Sequence, residues 1–337
     1  VDVVFNHTGE SDLDGPTLSL RGLGNRTFYA HDPDNPAHLV NDTGCGNTLA
    51  CHRPEVQELV IAAMRHLALQ GGVDGFRFDL APILGRDGNG FSPQAEMLKA
   101  MHADPALSDR MLVAEPWDIG PGGYQLGNFP DHWREWNDRA RDDIRTFWRG
   151  DAGKTGDLAT RLSGSSDIFG HDGATSTRTV NFVAAHDGFP LGDLVTYAEK
   201  HNEANGEDNR DGHNENYSWN CGVEGQTDDP AIRAARKADA TALLATLFAS
   251  RGTLLLTAGD EFGHSQHGNN NAYAQDNEIT WRDWANLDQD RLAHAREWAR
   301  LRAEIPILTR TDLLVPADGS DNPDQVEWYA PDGNTLE

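Results

Sequence analysis

Five short apolar runs recur along this chain, and each breaks off in a charged or polar cluster. They are VDVVFNH at 1–7, GVDGFRFDLA at 72–81, RMLVAEPWD at 110–118, TVNFVAAHDG at 179–188 and GTLLLTAGDE at 252–261. Near-continuous apolar strands are the mark of a parallel sheet buried on both faces, since a one-sided sheet alternates apolar and polar residues. Helical patterns lie between the runs. PEVQELVIAAMRHLALQGG carries apolar residues at 56, 59, 60, 63 and 67, with Pro54 at its head and Gly71–Gly72 at its end, the expected start and stop residues of a helix. PAIRAARKADATALLATLFAS and DQDRLAHAREWARLRAEI read as two more, the latter with Asp288 as its cap. A weaker strand, REWN at 134–137, is followed by a helix over 138–150. Alternating strand and helix makes this an α/β chain.

The segments between strands exceed the roughly 30 residues of a minimal strand–helix–strand unit. The surplus is polar and glycine-rich, above all HNEANGEDNRDGHNENYSWNCG at 201–222. Long loops at the same ends of successive parallel strands are where such folds build a site. At the other extreme of the chain, DQVEWYAPDGNTLE alternates and then offers a D-G turn, the signal of a β-hairpin.

Charge narrows the partners. With 28 basic and 54 acidic residues the formal charge is −26, and only Lys99, Lys154, Lys200 and Lys237 are lysines. Nucleic acid, polyphosphates and anionic membranes all demand basic patches, so none is an expected partner. Three sparse cysteines without a C-x-x-C pair suggest a reducing, cytoplasmic setting. Cys45, Cys51 and His52 lack a second ligand pair for a metal site. EDNRDG fails as a calcium loop, because the twelfth position from Glu207 is Ser218 rather than Glu.

The strand ends carry the chemistry. Arg77 and Asp79 are two residues apart and so share one side of a strand, where the guanidinium would keep the carboxylate ionised. An ionised, held carboxylate suits a nucleophile. Glu115 ends another run beside Ala114, Pro116 and Trp117, and apolar surroundings would suit it to general acid work. Asp187 ends a third run, directly after His186. Any one of these acids alone would be a cap or a surface ion pair, and His7, His186 or Trp117 alone an ordinary packing or hydrogen-bonding residue. Their co-occurrence at matching strand ends is what points to a glycosidase-like pair of carboxyl groups with a third acid.

DVVFNH, GFRFDLA, AEPWD and FVAAHD, in that order, resemble the four signature segments of the α-amylase family of glycoside hydrolases. The resemblance implies a (β/α)8 TIM barrel of which strands 3 to 8 are present. It casts Asp79 as nucleophile, Glu115 as acid/base and Asp187 as transition-state stabiliser, with His7, Arg77 and His186 as substrate-binding residues; Trp117, an aromatic near these strand ends, is suited to stack on a sugar face and joins them as a candidate substrate-binding residue. Other segments, among them TGCGNTLACHRPEV and AGDEFGHSQHGNNNAYAQDNEITW, are similar to bacterial debranching enzymes of the isoamylase type. Hydrolysis of α-1,6 branch linkages of glycogen is implied, with a branched α-glucan as partner and no cofactor; a structural calcium finds no ligand set. The four segments alone leave α-1,4 hydrolysis or glucan transfer open, and a non-catalytic relative would be expected to have lost the acids.

The expected organisation is a partial barrel over 1–306 and the start of a C-terminal β-sandwich domain over 307–337. Barrel strands 1 and 2 and an N-terminal β-sandwich are expected to lie outside this sequence.

Overall fold

The computed structural model describes residues 1–337 apart from 12, 89, 172, 317–323, 331 and 336–337. Two units divide the chain, Val1–Trp136 and Asn137–Glu337.

In the first unit the apolar runs become β1 (Asp2–Val3), β2 (Gly75–Phe78) and β3 (Met111–Ala114), and β4 (Trp133–Trp136) takes in most of REWN. Neighbours pair in parallel: Asp2 lies opposite Arg77, Phe76 opposite Leu112, and Val113 opposite Arg134. Each strand is shorter than its apolar run. Phe76 and Phe78 are both buried, and Phe78 meets Trp133 at 4.9 Å between ring centroids. Burying one such ring is worth roughly 2–3 kcal/mol.

Three helices accompany these strands, α1 (Leu20–Phe28), α2 (Pro54–Gly71) and α3 (Glu96–Ala103). α2 begins at Pro54 and ends on Gly72 at φ 67°, a left-handed cap that favours glycine. Its buried residues are Val56, Val60, Ile61, Met64 and Ala68. Leu59, expected on that face, is 42 % exposed, because the buried stripe follows i, i+4 steps from Val56. α1 and α3 lack the long apolar stripe of α2, and neither is evident from periodicity.

The second unit starts with α4 (Asp138–Arg149), α5 (Thr155–Leu162) and α6 (Ser166–Phe169), followed by β5 (Thr179–Asn181) and α7 (Leu191–Leu194). It continues with α8 (Pro230–Ala249), β6 (Thr253–Leu254), α9 (Gln289–Glu304) and α10 (Pro306–Thr309). β5 and β6 pair in parallel. α8 packs against α4 and α9, and its Leu243, Leu244 and Leu247 share a buried cluster with Ile144, Val183 and Leu191. Asp288 caps α9 as expected, accepting from the backbone N–H of Asp290 and Arg291.

Beyond α10, β7 (Val315–Pro316) and β8 (Gln325–Val326) pair in parallel. Tyr329 and Thr335 form an antiparallel bridge around the D-G turn, with Gly333 at φ 86°. Positions 317–323, 331 and 336–337 of the expected C-terminal β domain lie outside the described residues. Among the described residues no helix is long and apolar enough to cross a membrane.

Candidate active site

In the first unit the parallel ladder continues one step past β2 and β3. Asp79 N donates to Val3 O at 3.1 Å, Glu115 N to Phe78 O at 3.1 Å, and Ala81 N to Glu115 O at 3.0 Å. The register thereby sets Asp79 and Glu115 level at the C-terminal ends of adjacent strands. Directly after Asp79 the chain turns through Leu80 at φ 41°, a left-handed conformation costly for a branched side chain. That turn aims the Leu80 N–H at Glu115 Oε2, 2.8 Å away.

Arg77 links the two acids. Its Nη1 donates to Asp2 Oδ1 at 2.9 Å and to Asp79 Oδ1 at 3.1 Å. Nη2 lies 2.9 Å from Glu115 Oε2, and the guanidinium stacks 4.3 Å from the centroid of Trp136. Burial works against the guanidinium's charge, but the carboxylates of Glu115, Asp2 and Asp79 outweigh it and hold its pKa above the usual value. The surroundings of Glu115 differ from expectation in one respect. Its carboxyl is buried, as the flanking apolar residues suggest, but it meets a guanidinium and a backbone amide there.

The other oxygen of Asp79 belongs to Asn6. Fully buried at the end of the first run, Asn6 donates Nδ2 to Asp79 Oδ2 at 2.9 Å and to Asp79 O at 2.8 Å. Its Oδ1 contacts His7 Nδ1. Burial lowers the pKa of His7, against the opposing charge of Asp79, which favours a neutral imidazole. Cys45 also lies within the field of Asp79, its thiol pushed up by burial and then by that carboxylate. Trp117 is half-buried. The loop that follows it is shaped by Asp118, whose buried carboxylate takes Arg86 Nη2 at 2.6 Å and the Gly120 N–H at 2.8 Å. Asp118 and Arg86 escape sequence reasoning; Asn6 shows in sequence only as a polar residue closing an apolar run.

In the second unit His186 and Asp187 follow β5 and are half-exposed, with His186 Nε2 3.6 Å from Asp187 Oδ2. Gly188 takes φ 106° and donates its N–H to Asn270 O at 2.9 Å. His213 sits in the field of Asp187: burial and Arg141 lower its pKa, and Asp187 opposes them. Nothing in its own loop sequence singles out His213. Among the described residues no cluster of three or more His, Cys, Asp or Glu side chains forms a metal-binding group. Cys51 is buried, with its thiol pushed up to about 12 by that burial.

No known protein-family profile matches the chain. Curated relatives do. A glycogen debranching enzyme of Serratia proteamaculans is 50 % identical over 337 residues, covering 100 % of this chain and 50 % of the relative. A glycogen operon protein GlgX homolog of Mycobacterium bovis is 43 % identical over 340 residues, covering 100 % of this chain and 47 % of the relative. Among solved structures, a pullulanase from Anoxybacillus sp. LM18-11 in complex with maltotetraose matches with a TM-score of 0.69 at 22 % identity, over 92 % of this chain and 41 % of that one. The likeness to the pullulanase is one of fold, an α/β architecture with a parallel sheet.

Along its whole length the chain is similar in sequence to bacterial glycogen debranching enzymes, and its parallel α/β fold is like that of a pullulanase. It spans about half the length of the curated relatives it matches.

Proposed function

We propose that this chain carries the catalytic centre of a glycogen debranching enzyme, which hydrolyses α-1,6 branch linkages with retention of configuration. The observation that supports this most directly is Arg77, set between two carboxyl groups, 3.1 Å from Asp79 and 2.9 Å from Glu115. Glycosidases act through paired carboxyl groups flanking the bond, and a closely set pair is the arrangement of retaining hydrolysis.

In the first step the Asp79 carboxylate attacks the anomeric carbon of the branch residue. The bond to the leaving oxygen breaks as Glu115 gives that oxygen its proton. In the second, Glu115 takes a proton from water, the hydroxide adds to the anomeric carbon, and Asp79 is released. Asn6 and Arg77 hold the two oxygens of Asp79, so little reorientation is needed before attack. Asp187 would stabilise the cationic sugar of the transition state, His7, Arg77 and His186 would hold its hydroxyls, and Trp117 would offer a stacking face. With Nδ1 donating to Asn6 Oδ1, a neutral His7 presents Nε2 as an acceptor for a sugar hydroxyl.

On the same reading the parallel strands are part of a (β/α)8 barrel, and the segment from 307 begins a separate β domain. The partner is glycogen or its limit dextrin, with the short branches left after phosphorylase trimming, in the cytoplasm. The relatives' names and the pullulanase–maltotetraose complex support an α-glucan substrate. No cofactor enters the scheme.

The test uses the complete gene product that contains this chain. Linear oligosaccharides should be released from a branched glucan and not from a linear maltodextrin, and Asp79→Asn should abolish release while leaving glucan binding intact. Equal turnover of both glucans would refute the α-1,6 specificity, and unchanged turnover in Asp79→Asn would refute the nucleophile.

A further inference from the structure

Asp187 poses a mechanical problem. Its side chain is 59 % exposed and that of His186 53 %, so packing does not fix them. The backbone that bears them is instead held at three points within the second unit. Arg145 donates Nε at 2.8 Å and Nη2 at 2.6 Å to Val183 O. Thr257 Oγ1 donates to Ala184 O at 2.8 Å. Asn270 O accepts the Gly188 N–H at 2.9 Å, the contact nearest the carboxylate.

Asn270 is itself locked. It is 1 % exposed, and every polar atom it owns is used. Its N–H donates to Asn202 Oδ1 at 2.9 Å, and its Oδ1 accepts Asn202 Nδ2 at 2.9 Å. Its Nδ2 donates to Asn216 Oδ1 at 2.9 Å and to His213 O at 2.8 Å. Arg145 Nη1 donates to Asn216 O at 2.9 Å, so the guanidinium that grips Val183 also grips the loop behind Asn270. The neighbouring amides reinforce the joint: Asn269 Nδ2 bonds Asn205 Oδ1 at 2.9 Å, and Asn271 Nδ2 bonds Asp211 Oδ2 at 2.8 Å.

We infer that Asn270 is a positioning residue for Asp187, acting through the backbone of Gly188. The inference rests on the assignment of Asp187 as the carboxylate that stabilises the transition state. A buried, fully satisfied polar network is rigid and can have only one arrangement, and a supporting contact of this kind fixes a group that touches substrate. Loss of the Asn270 side chain would free the loop around 266–271 and with it the Gly188 anchor. The Asp187 carboxylate would then sample positions displaced from the developing charge.

The test is a double-mutant cycle in the complete gene product, with kcat, KM and Tm measured on a branched glucan. Asn270→Ala should lower kcat by on the order of a hundredfold, with KM changed by less than about threefold, as expected for a misplaced group. Asn270→Ser, which keeps a small polar side chain but loses the amide contacts to Asn216 and His213, should do the same to a smaller degree and serves if the alanine variant does not fold. In an Asp187→Asn background neither change should lower kcat further, because the group being positioned is already lost. A role confined to stability would lower Tm alike in both backgrounds and leave kcat untouched. Unchanged kcat in the folded Asn270 variants, or a loss that multiplies fully onto Asp187→Asn, would overturn the inference while leaving the proposed function standing. Full activity in Asp187→Asn itself would instead remove the assignment on which the inference depends, and the inference with it.

Discussion

Asn6 Nδ2 reaches both the carboxylate and the main-chain oxygen of Asp79, at 2.9 and 2.8 Å. Two donors on one nitrogen thus bind the end of the first apolar run to the residue that follows β2. Asn6→Ala should leave Asp79 Oδ2 without that partner. We expect a loss of stability of about 1–3 kcal/mol, and a fall in kcat of on the order of tenfold to a hundredfold. Thermal unfolding and steady-state kinetics on the same preparation check the two effects, and an unchanged kcat would show that Arg77 alone suffices to hold Asp79.

Glu10 makes a second prediction, on acid stability. Its buried carboxylate accepts the N–H groups of Leu18 and Ser19, each at 2.6 Å, that of Arg21 at 3.0 Å, and the Tyr29 hydroxyl at 2.5 Å. Burial raises its pKa, but the Tyr29 hydroxyl and the three amides outweigh it and bring it down from 4.5 to about 2. A depressed folded pKa contributes stability that is complete above the unfolded value and is lost as pH falls from about 4.5 through about 2. Glu10→Gln should therefore be less stable than the parent by about 2–3 kcal/mol at neutral pH, with the gap closing near pH 2. Denaturant titrations across that range measure it, and a gap independent of pH would contradict the assignment.

Asp260 titrates in the opposite sense. Burial raises its carboxyl from 3.8 to about 7, despite the Leu191 N–H and the charges of Arg291 and Arg145. Between those two values the folded chain keeps a proton that the unfolded chain has released, so stability falls as pH rises from about 4 through about 7. Asp260→Asn should flatten that part of the profile while retaining the acceptor that receives Leu191 N at 2.8 Å. Stability measured from pH 4 to 8 in both proteins decides it; parallel curves would refute the claim.

What could be read from the sequence was what lies close in sequence or repeats with a period. The five apolar runs announced parallel strands, Pro54 and Gly72 bracketed α2, and the two-residue spacing of Arg77 and Asp79 set both on one side of β2. The surroundings of Glu115 were only half legible. Ala114, Pro116 and Trp117 signal burial, but the Leu80 amide reaches Glu115 from 35 residues away in sequence, and no local pattern encodes that turn. Asn6 was visible as the residue closing a strand, but which acid it would hold depends on the pairing of β1 with β2. The joint around Asn270 was hidden for the same reason. Its partners Asn202 and Asn216 are 68 and 54 residues distant, and an asparagine-rich loop looks in sequence like solvated surface.

That joint has a consequence for how this chain can change. The loop over 201–216 and the loop over 266–271 present amides to one another, and each supplies the acceptors the other needs. Neither is a separately exchangeable part. Grafting one loop from a relative without its counterpart would strand several buried amides, whereas transplanting both together would carry the joint across whole. Variation in the two loops should therefore be inherited as a pair, and engineering of this end of the fold has to treat them as one unit.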